Sequence, residues 1–157
     1  MNQWETKISA EEPSSSQPAA IENPTPSVQS VDLRIWATTG IDIALSCLER
    51  VQPTLIRTAE LFRDDQMRAN AFLFHCIEGL ERFIEAMAIT KTAVPLDLQK
   101  IPTDVGTLAG TERELMQILK DMLALQEAKR YEDLADKVEY ELITNIHVWV
   151  KTLKKIA

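Results

Sequence analysis

Glycine and aromatic side chains are scarce in this chain. Four Gly, with three Trp, two Tyr and four Phe among 157 residues, are too few for an all-β fold, which needs many turns and aromatic-rich strands. Cysteine is scarcer still. Cys47 and Cys76 sit within helical apolar patterns and read as small buried hydrophobes. A disulfide between them requires that their helices bring them together. No apolar run approaches the roughly 18 residues of a membrane span. Met1–Glu5 also lacks the basic region and apolar core of a signal peptide, so a cytoplasmic protein is expected. Net charge is −7, without a basic stripe, which argues against nucleic acid as a partner. Lys151, Lys154 and Lys155 cluster near the C-terminus, where they complement a helix dipole.

What remains is ordinary for one globular domain: 45% hydrophobic and 26% charged residues. The first 30 residues differ from the rest. They hold Pro13, Pro18, Pro24 and Pro26 among serines, and four glutamates (Glu5, Glu11, Glu12, Glu22) against Lys7. Such a segment buries too little apolar surface to offset its ordering entropy, so residues 1–30 are expected to be a disordered acidic arm. Trp4 and Ile8 within it have the i, i+4 spacing of a one-turn anchor. They suit a docking motif for another protein or for this chain's own surface.

Residues 31–157 carry apolar side chains at every third or fourth position, the period of an α-helix rather than a strand. A first helix, capped by Thr38 or Thr39, presents Ile41, Ala44, Leu45, Leu48, Val51, Leu55, Ala59 and Phe62. The stripe stays in phase across Pro53, which favours one bent helix over two short ones. Asp64 and Asp65 turn the chain into a second helix, with Ala69, Phe72, Leu73, Cys76, Ile77, Leu80, Phe83, Ile84 and Met87 inward. Gly79 there suits the close approach of a neighbour. Lys91–Gly110 reads as a long irregular loop, with a helical turn from Thr103 or Asp104 bringing Val105 and Leu108 to the core. Thr111-Glu-Arg-Glu114 reads as a capping box for a third helix bearing Leu115, Ile118, Leu119, Met122 and Leu123. A fourth, from about Tyr131 to Lys155, aligns Leu134, Val138, Leu142, Ile146, Trp149, Leu153 and Ile156. The expected fold is all-α: a mostly antiparallel four-helix bundle.

Residues with catalytic spacing are missing. His75 has Glu78 three positions on, but neither His75 nor His147 follows a glutamate by three, as di-iron bundles require. Cys76 adjoins His75, yet neighbours on a helix point about 100° apart. No phosphate loop, nucleophile elbow or zinc spacing is present. No cofactor or metal is expected. On the fourth helix Tyr140, Ile143, His147 and Val150 form a second stripe. A helix apolar over that much of its circumference is either central in the bundle or borders a binding groove. Phe74, on the flank of the second helix, raises the same alternatives. Asn145, within the inner arc, needs hydrogen-bond partners and fits a register-setting role in preference to orienting a bound peptide.

Two segments, Ile77-Glu-Gly-Leu-Glu-Arg-Phe-Ile-Glu-Ala-Met87 and Tyr131-Glu-Asp-Leu-Ala-Asp-Lys-Val-Glu-Tyr-Glu-Leu142, resemble a family of small uncharacterised helical proteins of bacteria. More distantly, size, acidity and four helices are similar to flagellin export chaperones, non-enzymatic bundles that hold a substrate's helical terminus in apolar grooves. The expected function is therefore a non-catalytic adaptor or chaperone-like protein that receives a partner's amphipathic helix. Phe74, Tyr140, Ile143, His147 and Val150 are the expected binding residues, in a groove bordered by the second and fourth helices. A homodimerising structural module is the alternative, and an enzyme or metal binder using His75 or His147 the third.

Overall fold

Asp64 and Asp65 end one helix and begin the next. In the computed structural model, which describes residues 28–157, α1 (Val28–Asp64) is followed after one residue by α2 (Gln66–Ala93). The Asp65 carboxylate caps α2, accepting from the Arg68 amide at 3.1 Å. So short a link folds the two helices into an antiparallel hairpin. The acidic arm and its Trp4–Ile8 pair lie outside the described residues.

Pro53 is inside α1, so the helix is continuous, as its in-phase stripe predicts. Its start corrects the expectation: α1 begins at Val28, well before Thr38. The Thr38 hydroxyl caps nothing and donates to the Arg34 carbonyl one turn back, at 3.0 Å. Glycine holds the α1–α2 seam close. A Cβ on Gly79 would strike Val51, and one on Gly40 would strike the Thr90 hydroxyl. Thr90 is buried there and donates to its own Ala86 carbonyl at 2.7 Å.

After α2 the chain makes a 3₁₀ turn at Leu98–Lys100 and a minimal hairpin, β1 (Pro102–Thr103) with β2 (Gly106–Thr107). Pro102 faces Thr107 and Thr103 faces Gly106. This replaces the helical turn expected at Thr103 or Asp104. Gly106 supplies a φ of 143°, open only to glycine, and the Thr103 hydroxyl accepts from the Val105 amide. Leu108 reaches the core as expected, whereas Val105 is 70% exposed.

Helix α3 (Leu108–Glu127) starts one turn earlier than the Thr111 capping box implies. Thr107 is the cap, accepting from the Gly110 amide at 3.2 Å. Thr111 instead donates back to the Thr107 carbonyl, and Glu114 is free to accept from Asn145. Lys129, at a positive φ of 56°, reverses the chain into a fourth rod. That rod is α4 (Tyr131–Asp136), a π-helical turn (Lys137–Leu142) and α5 (Ile143–Ile156).

The π turn has a cause in the sequence. Leu134, Val138, Leu142 and Ile146 are spaced by fours, and each step of four overshoots a 3.6-residue turn by about 40°. The wider i→i+5 turn absorbs the overshoot. All four side chains, with Trp149 and Leu153 beyond, are therefore buried on one side.

The rods are not equally connected. α1 packs along α2 and along the fourth rod, while α3 packs mainly on the fourth rod. Arg63 strengthens the α1 contact, donating to Asp136 at 2.8 Å and to Glu139 at 2.7 Å. Trp149 meets Phe83 of α2 edge-on, with ring centroids 5.0 Å apart. α2 and α3 are thus the outer members, and the seam between them is open.

Candidate functional site

The open seam forms a groove of about 530 Å³. Helical spacing builds both walls. On α2, Leu73 and Leu80 form the floor, and Phe74, Ile77, Glu81 and Ile84 stand along one side. On α3, Met122 is buried beneath Met116, Leu119 and Leu123. Three of these side chains are large, apolar and mostly in solvent: Phe74 is 62% exposed, Met116 52% and Leu123 56%.

Polar ties close the groove at both ends. Gln126 donates to the Asn70 side-chain oxygen at 3.1 Å, and Lys91 pairs with Glu112 at 2.6 Å. These pairs also show that α2 and α3 run antiparallel. From Phe74 to Ile84 the trough is about 15 Å long, close to three helical turns. Glu81 makes no ion pair among the described residues, so the α2 wall carries an uncompensated negative charge.

Of the five residues singled out from the sequence, only Phe74 lines this groove. Ile143 and Val150 are core residues, each 9% exposed, because α5 is flanked by α1 on one side and α3 on the other. Tyr140 is exposed on the π turn. His147 borders a shallow surface hollow with Asp104, Thr144 and Lys151. The second stripe of the fourth rod is therefore not one surface, and the groove lies against α3 instead. Met116 was not singled out, and Leu123 was assigned inward. Their signal was a helix with more apolar positions than one buried face can use.

Ionisable groups do not converge. His75 contacts Glu78 at 3.3 Å on an exposed flank, and among the described residues no three His, Cys, Asp or Glu are grouped to hold a metal ion. Both thiols are free. Burial pushes the Cys76 thiol up to about 11, against a weaker opposing contact from the Thr58 hydroxyl at 3.8 Å. That thiol is the reverse of an activated nucleophile. Lys151 holds the Asp104 carboxyl below its ordinary range by hydrogen bond and charge, with Lys155 adding a little.

Asn145 finds hydrogen-bond partners, as its inward position requires. Its amide donates to the Thr111 carbonyl at 3.1 Å and to Glu114 at 2.8 Å, joining α5 to the start of α3. Its own oxygen and the Trp149 indole N–H, one turn further on, have no partner among the described residues.

Residues 42–152 match a family described as a domain of unknown function (DUF8042), and the chain belongs to that family. The match includes both segments whose sequence resembles small uncharacterised helical proteins. Comparison with curated proteins and with solved structures gives no match. Among the described residues no helix is long and apolar enough to cross a membrane.

Proposed function

We propose that this chain is a non-catalytic protein-binding module of the cytoplasm, an adaptor or export-chaperone-like protein. Its α2–α3 groove receives an amphipathic helix of a partner protein. One observation carries the reading: Phe74, Met116 and Leu123 face a trough between two helices that leave their seam open. Apolar side chains so arranged gain free energy when a third helix covers them, at about 25 cal/mol per Å² of apolar surface removed from water. Methionine on the α3 wall suits partners of varied shape, since its unbranched side chain repacks at low cost. Glu81 favours a helix with lysine or arginine beside its apolar stripe.

The test uses a synthetic helix with Leu at i, i+3, i+4 and i+7 and Lys on one flank. Amide chemical shifts should change along Phe74–Ile84 and Met116–Leu123. Phe74→Asp with Leu123→Asp should weaken binding by more than about tenfold, or ~1.4 kcal/mol. Shift changes elsewhere, or undiminished binding by the double variant, would remove the groove from consideration.

A further inference from the structure

A second apolar surface lies on the opposite side of α2, where it meets the outer face of α1. Trp36, Ile43 and Ile89 are exposed around a slot of about 700 Å³ whose floor includes Gly40 and Cys47. A smaller cleft adjoins it, and Cys47, Arg50 and Arg82 border both. The hairpin register set by Gly40 against Thr90 and Gly79 against Val51 brings Arg50 and Arg82 to nearly the same level across the seam. Neither arginine has an ion-pair partner among the described residues. Asp42 and Glu85 border the slot nearer the start of α1.

We infer that the occupant of this face is the chain's own N-terminal segment, with Trp4 and Ile8 in the slot and the neighbouring glutamates against Arg50 and Arg82. Three observations select it. The segment enters α1 at Val28, on the element that forms the slot. Ile43 lies about 22 Å along α1 from Val28, and the twenty residues from Ile8 to Val28 reach about 66 Å when extended. That reach is about three times the span, so the tether can set the segment on the slot and keep its effective concentration high. The chemistry also matches. Glu5, Glu11 and Glu12 lie within four residues of Trp4 or Ile8, a reach of about 13 Å. Arg50 is two turns, about 10 Å, beyond Ile43. The α2–α3 groove offers that acidic segment only Glu81 and no cation along its walls. This inference does not depend on what fills that groove.

Cys47 is a built-in reporter, because it lies on the floor of the slot, while buried Cys76, with its raised pKa, stays silent. Alkylation of Cys47 by N-ethylmaleimide is followed in the full chain at low micromolar concentration. A face covered about 80% of the time reacts about fivefold more slowly, so Trp4→Ala with Ile8→Ala should accelerate alkylation by that factor. Glu11→Arg with Glu12→Arg should accelerate it too, and added salt should narrow the gap between that variant and the parent chain. An unchanged rate in the Trp4/Ile8 variant overturns the inference, as does slower alkylation after the arginine substitutions. Protection that grows with protein concentration overturns it as well, because a second copy then covers the face.

Discussion

Both sides of α2 border apolar hollows, but they differ in charge. Toward α3 the helix shows Phe74, Ile77 and Ile84 around an unpaired Glu81. Toward the outer face of α1 it shows Ile89 about two turns from Arg82, with Glu85 between them and Asp42 and Arg50 across the seam, both arginines unpaired among the described residues. In the two proposals above, exposed apolar side chains make each side a docking face. The charge at the border separates the two proposed occupants, a basic-flanked helix on one side and an acidic segment on the other.

Removing the link between α2 and the fourth rod would break the comparison altogether. Trp149→Ala deletes the ring that meets Phe83 and should cost about 3–5 kcal/mol, read as a fall in the urea midpoint. Both faces should lose their ligands together. Gly79→Val forces a side chain into Val51 and should cost about 1–3 kcal/mol by overpacking. Because it pries α1 from α2, it should expose Cys47 to maleimide before it affects helix binding in the groove.

Substitutions on the faces sharpen the contrast instead. Phe74→Asp with Leu123→Asp alters exposed positions and should change stability by only about 0.5 kcal/mol per site. It should abolish helix capture and leave the Cys47 alkylation rate as it was. The smallest effect is expected far from both faces, at Asp104. Its folded pKa lies below the ordinary 3.8, so the pairing with Lys151 contributes above that pH and is lost as pH falls further. The stability difference between the parent chain and Asp104→Asn, measured by thermal melts, should therefore shrink below pH 3.8.

The helices were legible where one periodic stripe meets one core. The inner face of α2, the Asp65 cap and the burial of Leu134, Val138, Leu142 and Ile146 all follow from spacing and local chemistry. Boundaries were less legible. Thr111 reads as the cap of α3, and the hairpin that delivers Leu108 to the core moves the cap to Thr107. The groove was half legible. Phe74 stands out as apolar on a polar flank, but Ile143 and Leu123 exchange roles because their burial depends on which rod lies next to them. A sequence states that a side chain is oily and does not state which neighbour is absent.

The π turn carries a consequence for how this rod tolerates length changes. Its buried stripe steps by fours until Ile146, then by three to Trp149 and four to Leu153. Excising Tyr140, whose side chain is in solvent, would convert that series into an unbroken alternation of fours and threes, the heptad of a regular α-helix. Both halves would then keep their seating. The same excision within α5 would swing the residues beyond it by about 100° and carry part of the stripe out of the core. The rod thus holds one surplus residue at a single position where it can be given up.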